Sequence, residues 1–311
     1  MTGVFLALLP VFIVILIGFA LMRGGVIAEA QWRGLDQICY FVLFPCIIFK
    51  EIAAADFSTV PVFQMAGAMV ISVLGMFGFL VLLHRPIMAL LRINGPQFTS
   101  VVQGAARWHT FIAFAIIPLQ FGPAALSLGA VSAAVMTPLL NIVCVILMVR
   151  FAHEAEIEPG KLLLSILKNP FVFSSLGGVA WQMTGLELPV MALQVLDIIG
   201  RGALGLALLT VGAGLRLGSA MTNWLPVATA TGLKLLAMPA LMAGALMLMG
   251  VQGEAFAVAL LCGAVPTGSG AYVLARQMGG DAPMVANILT LQVIAAAVTI
   301  PLVLSLAGVT N

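Results

Sequence analysis

Apolar stretches long enough to cross a lipid bilayer recur ten times in this chain, with short polar joints between them. A helix needs about 20 apolar residues to span the hydrocarbon. Residues 3–22, 33–52, 61–83, 96–121, 123–149, 162–184, 189–214, 224–249, 254–278 and 283–308 each reach that length. Charged residues make up 8% of the chain, against about 25% in a soluble domain. The net charge of +2 is spread over short loops without a basic tract, so nucleic-acid binding is not indicated. The expected fold class is therefore an all-α membrane protein with ten transmembrane helices.

The first apolar run lacks the basic start and small-residue cleavage site of a secretory signal, and is expected to be retained as a helix. Cys39, Cys46, Cys144 and Cys262 all fall inside apolar segments without metal-ligand spacing. They read as buried, inert thiols, and no metal or cofactor is expected.

Charge sets the orientation. Arg23 and Arg33, Arg85 and Arg92, then Arg150, Lys161 and Lys168, then Arg216 and Arg276 occupy alternate loops. The opposite loops hold only Lys50. The positive-inside rule puts the first set in the cytoplasm and both termini outside. The one long polar stretch, Arg150 to Lys168, separates five helices from five. It divides the chain into a first repeat (1–152), a cytoplasmic linker (153–161) and a second repeat (162–311). An odd number of helices per half makes the halves run in opposite directions. Leu35-Asp36 parallels Leu196-Asp197, Gly104-Ala105 parallels Gly263-Ala264, and Pro138 parallels Pro301, at the near-constant offsets 161, 159 and 163. A five-plus-five inverted repeat is expected, an architecture of secondary transporters with sites near the membrane midplane.

Two apolar segments are interrupted at matching places. The first reads Gly104-Ala105-Ala106-Arg107-Trp108-His109-Thr110, the second Gly263-Ala264-Val265-Pro266-Thr267-Gly268-Ser269-Gly270. Irregular backbone at membrane depth survives only inside protein or beside a wet cavity. Paired breaks in two halves point to a binding site. Pro266 removes a backbone donor, Gly268 and Gly270 allow close approach, and Thr267 and Ser269 supply hydroxyls.

Three cations lie inside the spans: Arg107, Arg201 and Lys234. Arg107 falls roughly 16 Å from its helix start and Lys234 roughly 15 Å, both near the midplane. Arg201 follows Asp197 by four residues on one helix face and reads as its ion-pair partner. Lys234 could pair with a carbonyl freed by Pro239, or with a carboxylate. Asp36, close to Arg33, reads as an edge ion pair, and Asn141 and Gln292 as interhelical hydrogen-bonding residues. The surplus of buried positive charge and the positive ends of the half-helices both suit a small anionic ligand.

Residues Ala264 to Gly280, with Pro-Thr-Gly-Ser-Gly followed by Ala-Tyr-Val-Leu-Ala-Arg-Gln and a glycine pair, resemble the ninth-helix signature of the auxin efflux carrier family, bacterial branch. Gln103 to Thr110 resembles its fourth-helix signature, and the resemblance spans essentially the whole chain. It implies that helices 4 and 9 are broken and cross at mid-membrane. It also implies a scaffold of helices 1, 2, 6 and 7, and a transport part of helices 3–5 and 8–10 that moves as an elevator. Plant members export the auxin indole-3-acetate, and bacterial members are associated with malonate, malate and similar acids. The family usually has Asn in the fourth-helix break, where it contacts the substrate carboxylate in the plant carriers; here that position is His109. Gly270-Ala271 stands where the plant carriers have proline.

The resulting expectation is a non-enzymatic, multi-pass secondary carrier of the bacterial inner membrane. Its substrate would be a small organic anion: a mono- or dicarboxylate such as malonate or malate, or an auxin-like acid. Expected substrate-binding residues are Arg107, His109, Thr110, Pro266, Thr267, Gly268, Ser269, Gly270 and Ala271. His109, Asp197 and Lys234 are candidates for coupling or charge relay. Proton or sodium coupling and a homodimer stay open. An intramembrane serine protease using Ser269 and His109, and a ligand-gated channel or sensor, are the rival readings.

Overall fold

The computed structural model describes residues 2–54, 61–152, 160, 169–215 and 224–309, with side chains from residue 8 onward except that of Gln277. Among these residues every regular element is helical, and no strand occurs. The helices are α1 (Thr2–Arg23), α2 (Glu29–Ile38), α3 (Phe44–Ala53), α4 (Val62–Leu82), α5 (His84–Leu91), α6 (Gly95–Ala106), α7 (Thr110–Phe121) and α8 (Leu126–Phe151). After residue 169 come α9 (Pro170–Gln182), α10 (Val190–Arg201), α11 (Ala203–Ala213), α12 (Trp224–Gly232), α13 (Met238–Leu248), α14 (Gly253–Ala264), α15 (Gly270–Gln277) and α16 (Ala282–Leu306). Single π turns, Cys39–Leu43 and Leu233–Ala237, join α2 to α3 and α12 to α13.

Among the described residues, five continuous helical stretches are long and apolar enough to cross a membrane: Val62–Leu82, Pro123–Phe151, Val190–Ala213, Trp224–Leu248 and Ala282–Leu306. Each falls within a few residues of a segment expected from the sequence. Helix α1 covers the first expected segment without a break, while those at 33–52, 96–121 and 254–278 are divided among shorter helical pieces. Most of the expected linker, with Lys161, the start of the segment 162–184, with Lys168, and Arg216 lie outside the described residues. The short helix α5 and the left-handed Arg92 that ends it (φ 53°) occupy what the sequence offered only as a basic loop.

Helix starts follow local chemistry. Asn94 accepts a hydrogen bond from Gln97 N at 3.0 Å while Gln97 Oε1 accepts one from Asn94 N at 3.2 Å, a reciprocal cap on α6. Asn169 caps α9 through Phe171 N at 2.9 Å, and Asp281 caps α16 through Met284 N at 2.9 Å.

Lipid tails are as apolar as leucine, so helix association in a bilayer relies on close packing at small residues. The contact between α1 and α11 has this form. A Cβ on Gly18 would lie 2.1 Å from Leu209 O, and one on Gly212 would lie 1.8 Å from Ile15 O, so the two backbones touch. Helix α9 packs along α3, and α4 lies against α13 and α8. The interrupted helices are the most enclosed: residues 98–106 of α6, 111–117 of α7 and 257–264 of α14 are all buried. That enclosure is what lets broken backbone exist in this molecule.

One expected contact is corrected. Asp197 is bonded to Lys50, with Nζ donating to Oδ1 at 2.6 Å, rather than serving only as the helix-face partner of Arg201. Its side chain is 42% exposed, so it does not offset the buried cations. A lysine on another helix reaches the carboxylate directly, which spacing along one helix does not reveal.

Candidate functional site

Both interruptions are real and they meet. Helix α6 runs 12 residues and ends as Arg107 turns extended (φ −68°, ψ 152°). Helix α14 also runs 12 residues and ends as Val265 adopts almost the same torsions (φ −65°, ψ 152°). At Val265 the cause is local, because the following Pro266 disfavours the helical region for its predecessor. No proline follows Arg107. Its extended backbone is held from across the crossing: Thr267 Oγ1 donates to Gly104 O at 2.8 Å and reaches Arg107 O at 3.4 Å. Gln292 on α16 clasps both strands of the crossing. Its Nε2 donates to Gly104 O at 2.8 Å, and its Oε1 accepts from Thr267 N at 2.8 Å.

The crossing needs glycine for space. A Cβ on Gly268 would sit 2.7 Å from Trp108 O, inside the partner backbone. One on Gly270 would meet Arg107 Nη2 at 3.3 Å.

Two adjoining cavities, about 520 and 470 Å³, flank this crossing. Arg33, Asp36, His109, Ser269 and Val273 line both. The larger is also bounded by Arg107, Thr110, Asn141, Gly268 and Gly270, the smaller by Trp32, Tyr272 and Arg276.

Arg107 is the charged centre of the larger cavity. Its Nη2 donates to Asn141 Oδ1 at 2.8 Å. Its buried Nη1 has no hydrogen-bond partner among the described residues. Among the described residues no carboxylate forms an ion pair with Arg107. His109 precedes α7, and its buried ring tilts against Phe111 at 5.8 Å. No side chain caps α7, which leaves the donor-rich start of that helix beside the cavity.

The expected site residues divide accordingly. Arg107, His109, Thr110, Gly268, Ser269 and Gly270 come together around the cavities. Thr267 is wholly buried and its hydroxyl is committed to Gly104, so it builds the crossing and does not face the cavity. Pro266 and Ala271 are buried behind the lining. Asp197 and Lys234 line neither cavity. Asp36, Tyr40, Asn141 and Asn169 are lining residues that the sequence did not single out for the site. Asn141 and Gln292 were legible only as polar residues in apolar helices; their partners are fixed by the fold.

A family model described as "Membrane transport protein" matches residues 3–94 and 156–304 of this chain. An uncharacterized transporter of Methanothermobacter thermautotrophicus is 23% identical over 300 residues, covering 94% of this chain and 95% of that protein. Two rice proteins (Oryza sativa subsp. japonica) match a shorter stretch. The probable auxin efflux carrier component 1b is 27% identical over 36% of this chain. Component 1c, also described as probable, is 31% identical over 36%. The matched stretch spans about a fifth of each rice protein, 21% and 20%.

Proposed function

The chain belongs to the membrane transport protein family that includes the auxin efflux carriers, and we propose that it is a secondary carrier for a small organic anion, a mono- or dicarboxylate. The observation that carries this reading is Arg107: a guanidinium at the helix crossing, beside a cavity, which among the described residues has no carboxylate partner and one buried nitrogen unbonded. A charge at membrane depth is costly and marks a ligand path. A carboxylate would supply the missing acceptor and accept a charge-assisted hydrogen bond.

In this reading Arg107 supplies charge, His109 and Ser269 supply donors, and the glycines let substrate approach the backbone. Thr267, Pro266 and Ala271 shape the second break from behind. Matching lengths and torsions of α6 and α14 support a five-plus-five inverted repeat. The pairing of α1 with α11 and of α3 with α9 supports a scaffold distinct from the part carrying the crossing, as elevator motion requires. Both cavities include Arg33, which the charge pattern assigns to the cytoplasmic edge, and the smaller reaches Arg276, about 9 Å along α15 from the crossing. The carrier in this conformation is therefore read as open to the cytoplasm. Of the groups offered for coupling, His109 is the one that lines the cavities.

The protease reading needs His109 to activate Ser269. No hydrogen bond joins them among the described residues, and the family is one of transport proteins.

Ligand that binds the folded state raises its thermal midpoint by mass action. Malonate, malate, succinate and indole-3-acetate are expected to give at least one concentration-dependent rise with the purified protein, and neutral amides of the same acids none. A rise with neutral solutes or cations alone would remove the organic-anion assignment.

A further inference from the structure

Lys234 is completely buried, yet it lines neither of the two cavities and, among the described residues, forms no ion pair. Its Nζ donates to Gly263 O at 2.9 Å. Gly263 lies in the last turn of α14, immediately before the second break. Carbonyls there have no partner within the helix and carry the negative end of its dipole. Lys234 reaches this place from a π turn, Leu233–Ala237, a local widening that recurs at functional positions. The carbonyl is Gly263's, on a neighbouring helix, and not one freed by Pro239. No carboxylate pairs with the ammonium among the described residues.

The first half-helix is finished differently. At the end of α6, Gly104 O receives two neutral donors, the Thr267 hydroxyl and the Gln292 amide. In carriers built from broken helices, such carbonyl ends also serve to coordinate a coupling cation.

We propose that Lys234 is a tethered cation of the second break: its ammonium holds the carbonyl end of α14 where a carrier of this architecture can otherwise seat a metal ion, and so fixes the shape of the substrate site without touching substrate. Lys234 is thus a positioning residue. Its effect on substrate rests on the carrier reading, whereas its effect on the break does not.

The test uses the purified full-length protein and its K234R, K234Q and K234A variants. Thermal midpoints are read in sodium chloride and in choline chloride at equal ionic strength, and malonate affinity is read by its thermal shift. Wild type and K234R are expected to show equal midpoints in the two salts. K234Q, which keeps a donor and loses the charge, is expected to melt lower and to bind malonate roughly tenfold more weakly, a modest coupling between neighbouring sites. K234A opens space beside Gly263 O, and sodium is expected to raise its midpoint where choline does not. K234Q equal to wild type in midpoint and affinity would overturn the proposal, as would a K234A midpoint indifferent to sodium. Should K234A not fold, K234Q still decides. Should wild type bind no carboxylate, the substrate assignment fails while the midpoint comparisons still judge Lys234.

Discussion

Gly268→Ala is expected to dismantle the crossing and abolish ligand binding. The added methyl would stand 2.7 Å from Trp108 O, and the obstacle is backbone, which cannot swing aside as a side-chain end can. Relief requires the two breaks to separate. Separation stretches the Thr267 bond to Gly104 O and the Gln292 clasp, both fully buried. Overpacking of a tight interior costs about 1–3 kcal/mol, and each buried polar group left unpaired adds about 1–3 kcal/mol. Gly244→Ala on α13 is the control, since nothing lies within 4 Å of its added methyl. In a helix interior that change favours stability by roughly 0.5–1 kcal/mol. Thermal midpoints of the two purified variants check this. A Gly268→Ala protein as stable as wild type would show that the breaks do not pack as described.

Arg107→Gln is expected to weaken carboxylate binding by one to two orders of magnitude while the protein stays folded. Hydrogen bonds to charged groups contribute about 1.5–3 kcal/mol, which corresponds to roughly 10- to 150-fold in affinity. Glutamine can still donate to Asn141 but brings neither the charge nor the fork of the guanidinium. Arg107→Lys is expected to fall between the two, because it keeps the charge and loses the paired geometry. Asn141→Leu removes the acceptor that orients Nη2 and should produce a smaller loss of the same kind. Calorimetric titration with the best carboxylate orders the series. Unchanged affinity in Arg107→Gln takes Arg107 out of the site.

The apolar segments were legible because lipid imposes a length and forbids exposed polar backbone, so helix positions follow from hydropathy alone. The second break was legible for a local reason, Pro266 beside two glycines. The first carries no such punctuation. Its charged and aromatic residues marked the place, but what holds Arg107 extended is Thr267, some 160 positions away in sequence. The family match leaves out residues 95–155, which contain that first break. Side-chain partnerships were the least legible layer. Asp197 joins Lys50 rather than answering only to Arg201, and Lys234 finds the carbonyl of Gly263. Both pairings depend on helix rotation and tilt, which periodicity does not encode. Thr267 shows the same limit: its hydroxyl suggested a substrate donor, and the fold spends it on the crossing. Asp36 escaped notice in the opposite direction, because its place near Arg33 suggested the membrane edge while the cavities extend to it.

Counterflow in liposomes tests the central claim most directly. Vesicles containing the purified protein and loaded with unlabelled malonate, or with whichever carboxylate raises the thermal midpoint most, are diluted into a trace of the same acid carrying a radiolabel. A carrier with one site alternating between the two faces accumulates label transiently above the outside concentration, saturably, and only when the inside is preloaded. The account predicts that overshoot for wild type, a strongly reduced one for Arg107→Gln, and none for Gly268→Ala. Label that equilibrates without overshoot and without saturation would identify a pore and contradict it.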